Sequence, residues 1–141
     1  MNIKIFENLA KIAEDIPINS ETNRYRLSAA VVRRNTVIAY GTNSMKTDPL
    51  QGKYRKNECA VYMHAEISAI KNSLRRIDID TLKKCDIYVC RVKRDSTKKN
   101  NIIWGNAKPC SGCARAISDF EFKNVYFTCD SGEIGIGYTS F

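Results

Sequence analysis

The chain has 141 residues, 43% of them hydrophobic, with a single histidine, six cysteines and a formal net charge of +8. That length suits one domain with one core, so residues 1–141 are expected to form a single domain. No run approaches the roughly 20 apolar residues of a membrane span and the amino terminus lacks the apolar stretch of a signal peptide, which excludes a membrane partner from the reading and makes a cytoplasmic protein the expectation.

Taken in chain order, Ile5, Leu9, Ile12, Ala13 and Ile16 recur at helical spacing, and Pro17 ends that helix. Leu27 to Val32 and Thr36 to Tyr40 are β-rich runs joined through Arg33-Arg34-Asn35, a connection short enough to predict an antiparallel hairpin. A polar loop from Asn43 to about Glu58 leads into a second helix, where Met63, Ile67, Ile70 and Leu74 lie on one stripe. Asp86 to Val92 reads as the third strand, and the basic stretch Arg91 to Lys99, between it and Ile102-Ile103-Trp104, reads as an extended hairpin. Pro109 is placed to open the third helix, because a proline at the first helical position loses no intrahelical hydrogen bond. Cys113, Ala114, Ile117 and Phe120 are its inward stripe. Asn124 to Cys129 and Glu133 to Tyr138 read as the last two strands. Only Asp130-Ser131-Gly132 separates them, whereas a parallel crossover needs about a dozen residues, so this pair is antiparallel. The sum is an α/β chain with five strands.

The chemistry concentrates in His64-Ala65-Glu66 and, further on, Pro109-Cys110-Ser111-Gly112-Cys113. An imidazole and two thiolates are ligands that tetrahedral Zn²⁺ prefers, and three protein ligands leave the fourth position open to water, as in a catalytic site. Two cysteines at a helix start are favoured as thiolates by the positive end of the helix dipole. Glu66, two residues from His64, would then be the acid/base carboxylate beside an acidified water. A redox pair is the competing reading of Cys110 and Cys113, and a hydrogen-bonded helix residue that of His64. The chain's one histidine falling inside this motif favours the metal. Cys85, Cys90 and Cys129 sit in or beside apolar runs and read as small core residues; Cys59 could be buried, reactive or exposed.

With these two motifs the chain resembles the cytidine/deoxycytidylate deaminase superfamily, whose signature is H-x-E with P-C-x-x-C. The resemblance implies a three-layer α/β/α fold with a mixed five-stranded sheet and an antiparallel carboxyl-terminal hairpin. It implies zinc on His64, Cys110 and Cys113, with Glu66 as general acid/base. Relatives hold an asparagine that contacts the sugar where Asn43 follows the second strand; the alternative for Asn43 is a strand-end cap. The backbone N–H of Ala65 would face the pyrimidine O2. The branches of the superfamily divide on two features, which disagree here. An antiparallel ending belongs to free-nucleoside, blasticidin-type and several toxin deaminases, whereas a histidine as first ligand belongs to the deoxycytidylate, tRNA adenosine and APOBEC-type branches.

The positive charge invites an anionic substrate. Arg91-Val92-Lys93-Arg94-Asp95-Ser96-Thr97-Lys98-Lys99 would lie near the mouth of the site, with Lys46, Lys53, Arg55 and Lys56 on the other flanking loop. These could bind one 5′-phosphate or several phosphates of a strand, or simply solvate a surface. The expected function is zinc-dependent hydrolytic deamination of the cytosine base of a (deoxy)nucleotide or nucleoside to uracil. The alternatives are deamination of cytosine or adenine in single-stranded DNA or RNA bound through the 91–99 segment, and a non-catalytic zinc-stabilised module. Tyr54, Tyr62 and Trp104 are the aromatics that could hold an unstacked base. A homo-oligomer is compatible with all three.

Overall fold

Along Arg26–Arg33 (β1) nearly every residue is buried, and successive side chains must face opposite ways. Ala29 and Val31 enter one apolar cluster, while Ala30 and Val32 enter another. Asp86–Arg94 (β3) repeats the division, with Ile87 and Val89 on the first side and Tyr88, Cys90 and Val92 on the second. A sheet apolar on both faces has to be covered on both. In the computed structural model, which describes residues 1–17, 26–54, 62–94 and 102–137, this produces the expected α/β/α layering.

One cover is Ile3–Glu14 (α1), started by Asn2, whose side chain accepts the Lys4 N–H at 3.1 Å. It buries Ile5, Phe6, Leu9 and Ala13, so Phe6 joins the predicted stripe and Ile12 sits at its margin. The other cover holds Ala65–Ser73 (α3) and Ser111–Asp119 (α5), which contribute Ile67, Ala69, Ile70, Ala116 and Ile117. Two short helices, Pro49–Lys53 (α2) and Ile79–Leu82 (α4), are capped by Asp48 and Asp78; α2 lies within the segment predicted to be a loop.

The sheet runs β2-β1-β3-β5-β6, with Thr36–Thr42 (β2), Asn124–Thr128 (β5) and Ile134–Gly137 (β6). Only the β3–β5 pair is parallel, and β5–β6 is the expected antiparallel hairpin; Tyr138, predicted to end β6, lies outside the described residues. Among the described residues there are six strands rather than the expected five. β3 outruns its register with β5, which stops at Val89–Phe127, and its free outer half pairs instead with Ile102–Gly105 (β4) through Arg91↔Gly105 to Arg94↔Ile102. Buried Thr128 closes the fork where the three strands diverge. Its Oγ1 accepts the Arg91 N–H at 3.1 Å and donates to the Gly105 carbonyl at 2.8 Å.

Two local features place the helices. The third predicted helix begins at Ser111 rather than Pro109, because Cys110 is the cap residue and its Sγ accepts the Cys113 N–H at 3.5 Å. Gly41 of β2 lets α3 lie directly on the sheet: a Cβ there would stand 2.2 Å from Ala69 N and 2.6 Å from the Ala65 carbonyl oxygen. No helix among the described residues is long and apolar enough to cross a membrane.

Candidate functional site

His64 and Cys110 both occupy cap positions, at φ −85°, ψ 157° and φ −67°, ψ 169°. The extended backbone there turns each side chain away from its helix axis, and α3 and α5 converge at these ends. His64 Nδ1 lies 3.6 Å from Cys110 Sγ and 3.4 Å from Cys113 Sγ, and the three donor atoms all fall within 4.8 Å of one another. Tetrahedral zinc, with Zn–S of about 2.3 Å and Zn–N of about 2.0–2.1 Å, sets an N···S edge of about 3.6 Å. The donor set therefore fits zinc in both element type and spacing.

The Cys110 thiol is held down to about 3, first by a hydrogen bond from Cys113 and also by His64; the Cys113 thiol is pushed well above its ordinary value by supplying that bond and by burial. Zinc binding needs both sulfurs as thiolates, so it would be coupled to loss of the Cys113 proton.

Glu66, in the first turn of α3, is 4% exposed. Burial pushes its carboxyl above the ordinary carboxylate range, against the pull of its own backbone N–H and of His64. His64, Ala65, Glu66 and Cys110 line a cleft of about 460 Å³. Leu27, Asn43 and Arg91, which also line it, lie along one row across the sheet. Asn43, just past β2, accepts the Leu27 N–H on Oδ1 at 2.9 Å and donates its own N–H to the Leu27 carbonyl at 3.3 Å; Leu27 pairs with Arg91, and Arg91 with Gly105. Asn43 is thus both strand-end cap and cleft residue. Ala65 is the first residue of α3, so its N–H is among the amides that no turn of the helix satisfies.

All six residues singled out from sequence, Asn43, His64, Ala65, Glu66, Cys110 and Cys113, meet at this cleft or its metal corner. The aromatics and the basic stretch are divided. Tyr62 lines the cleft and is 49% exposed. Trp104 instead packs on Phe6 beneath α1, with ring centroids 5.9 Å apart, and the Tyr54 hydroxyl donates to Asp119 Oδ2 at 2.9 Å. Arg91 lines the cleft, while Lys93 is in an ion pair with Asp130 at 2.8 Å. Lys53 lies over the Tyr54 ring, 5.3 Å from its centroid. Arg55, Lys56 and Cys59, and Asp95 to Lys99, lie outside the described residues. Asn106 and Lys108, not singled out from sequence, also line the cleft; Asn106 Oδ1 accepts the Lys108 N–H at 3.0 Å. The Gly105-Asn106 turn signal beside Pro109-Cys110 was the available pointer to them.

Residues 4–129 match the model of the cytidine and deoxycytidylate deaminase zinc-binding region, and the chain belongs to that family of hydrolytic deaminases. Among solved structures it is similar to a guanine deaminase from Bacillus subtilis, with 21% identity and a TM-score of 0.58 over 92% of this chain and 65% of that one. It is also similar to the dCMP deaminase of cyanophage S-TIM5, with 18% identity and a TM-score of 0.53 over 92% of this chain and 86% of that one. A third similar structure comes from work on A-to-I editing by tRNA:A34 deaminases, with 22% identity and a TM-score of 0.52 over 89% of this chain and 71% of that one. At these identities the likeness is one of fold. A sequence search of curated proteins found no significant match.

Proposed function

We propose that the chain is a zinc-dependent deaminase that converts the cytosine of a nucleotide or nucleoside to uracil, releasing ammonia. The observation that carries the reading is the His64–Cys110–Cys113 cluster, spaced for zinc, with the buried carboxyl of Glu66 beside it in a cleft of small-molecule size. Zinc held by these three residues would supply a water acidified towards neutrality. Glu66 would take a proton from the attacking water and give it to ring N3, then take the proton of the new C4 hydroxyl and give it to the departing amine, so that two separate protons pass through one carboxyl; burial raises that carboxyl above the ordinary carboxylate range, which favours its proton-carrying form. The Ala65 N–H orients the base through O2, and Asn43, its carboxamide fixed by Leu27, meets the sugar.

A small substrate is favoured over a strand. Of the three sequence-predicted aromatics only Tyr62 reaches the cleft. Of the described cations, Arg91 and Lys108 line the cleft, whereas Arg33, Arg34, Lys83, Lys84 and Lys123 gather in a separate groove at the other end of β1 and β3. The antiparallel β5–β6 pair supports the same choice. We read residues 1–141 as one domain of a cytoplasmic protein.

The test is ammonia release from cytidine, deoxycytidine, dCMP, dCTP and a cytosine-bearing single strand, with Glu66→Ala as control. Turnover on a free nucleoside or nucleotide, lost by roughly 10²–10⁴-fold in Glu66→Ala while bound zinc stays near one per chain, is the expected result. Activity on the strand alone would overturn the substrate class. A Glu66→Ala protein that keeps most of its activity would overturn the mechanism.

A further inference from the structure

The segment between β2 and α3 ties the two cysteine- and histidine-bearing helices together. Asp48 caps α2, accepting the Leu50 N–H on Oδ1 at 2.9 Å, while its Oδ2 is paired with Lys71 of α3. At the other end of α2, the Tyr54 hydroxyl reaches Asp119 of α5. The approach to α3 is stitched on by Met63 N–H to the Lys46 carbonyl at 2.9 Å and Ser44 N–H to the Met63 carbonyl at 3.0 Å. Between these anchors Gln51 is fully buried, and its Oε1 accepts the His64 N–H at 2.9 Å. That amide belongs to the residue whose imidazole faces both sulfurs. A bond to it limits rotation of the peptide from which the imidazole projects. The Gln51 Nε2, equally buried, has no hydrogen-bond partner among the described residues. An unmatched buried donor costs stability that an apolar side chain of the same length would not. The carboxamide is therefore poorly explained as core filling and well explained by its oxygen.

We propose that Gln51 is a positioning residue for the metal: through the His64 amide it holds Nδ1 at ligand spacing from Cys110 and Cys113. This rests on the reading of those three residues as the zinc site. Partners that orient a ligand typically change metal affinity by about 10–100-fold when removed. The experiment compares the parent with Gln51→Met, which removes the acceptor and the unmatched donor together, and Gln51→Glu, which restores an acceptor. Zinc affinity is read by chelator competition, ligand geometry by the visible spectrum of the cobalt-substituted protein, and stability by melting of the metal-stripped protein.

The expected result is that stripped Gln51→Met melts no lower than the stripped parent, binds zinc about 10–100-fold more weakly and shows a shifted cobalt spectrum, with Gln51→Glu recovering most of the affinity. Parent-like affinity and spectrum in Gln51→Met would overturn the proposal. So would a stripped Gln51→Met that melts well below the parent or fails to fold, since Gln51 would then be a structural core residue. Failure of the metal reading itself is visible separately, as zinc binding that survives Cys113→Ser.

Discussion

Gly41→Ala is the sharpest perturbation of the machinery that places α3. The added methyl would sit 2.2 Å from Ala69 N, 2.6 Å from the Ala65 carbonyl oxygen and 2.7 Å from Ser68 C, all of them helix backbone that no side-chain rotation can clear. Carbon contacts settle near 3.5 Å, so α3 and β2 must separate locally by roughly 1.3 Å. Overpacking of this kind costs typically about 1–3 kcal/mol, and a chain of this length loses roughly 4 °C of Tm per kcal/mol, which gives a fall of about 4–12 °C. The functional effect is expected to exceed the structural one. The clash falls on Ala65, Ser68 and Ala69 in the amino-terminal half of α3, the helix that His64 caps and that carries Glu66, and a misplacement of about 1 Å can cost roughly 10²-fold in rate. Calorimetry, zinc titration and kcat on the best substrate measure the three consequences. Gly52→Ala is the control: nothing lies within 4 Å of its Cβ position, and a helical alanine there should raise stability by about 0.5–1 kcal/mol. If Gly41→Ala melts with the parent and turns over at the parent rate, the claim that glycine at this position sets the seating of α3 is wrong.

Metal removal is expected to act through Cys113: chelation should lower the Tm of the parent but leave that of Cys113→Ser unchanged, because metal binding and folding are coupled. Equal chelator shifts in the two proteins would count against Cys113 as a ligand. The hydrogen bond from Lys71 and that from Leu50 hold the Asp48 carboxyl below the ordinary carboxylate range. A depressed folded value contributes stability that is fully present above the unfolded value of about 3.9 and is lost as pH falls below that and through the lower folded value, so Asp48→Asn should be less stable than the parent near neutrality and converge with it in acid. The side chain of Lys71 is 42% exposed, which limits the difference to about 1 kcal/mol; urea midpoints taken across pH decide it, and a pH-independent gap would refute the assignment. The β1–β2 turn places Arg34 at φ 51° and Asn35 at φ 62°, both in the left-handed region of a type I′ hairpin. Arg34→Asn combined with Asn35→Gly should stabilise by about 1 kcal/mol, seen as a higher urea midpoint at unchanged slope.

The fold was legible wherever one covalent or periodic constraint decided it. The α/β/α layering was expected from the family resemblance, and the structure gives its physical reason: both faces of β1 and β3 are apolar, which requires helices on each side. The turn at Asp130-Ser131-Gly132 is too short for anything but an antiparallel pair. The sixth strand was less legible because its existence depends on where β5 stops: Ile102 to Gly105 pairs with β3 only beyond the Val89–Phe127 register, and no local propensity encodes the length of a neighbouring strand. Likewise Pro109 is compatible with the first helical position, but the sulfur of Cys110 competes for the cap and moves the start to Ser111.

In the site, the residues visible from sequence are those whose side-chain chemistry is scarce. A lone histidine and a closely spaced pair of cysteines have few other uses in combination, and their spacing carries over directly into two helix caps. The supporting shell has no such signature. Gln51 bonds a backbone amide, Asn43 bonds the backbone of Leu27, and Thr128 bonds the backbone of Arg91 and Gly105. Any acceptor delivered to the same point would serve, so residue type alone does not reveal the role, and the contacts link positions 13, 16, 23 and 37 residues apart that only the fold brings together. Trp104 is the converse. Its type suggested a platform for a base, yet the same ring is what β4 uses to reach Phe6 beneath α1, and burial against an aromatic neighbour removes it from the cleft.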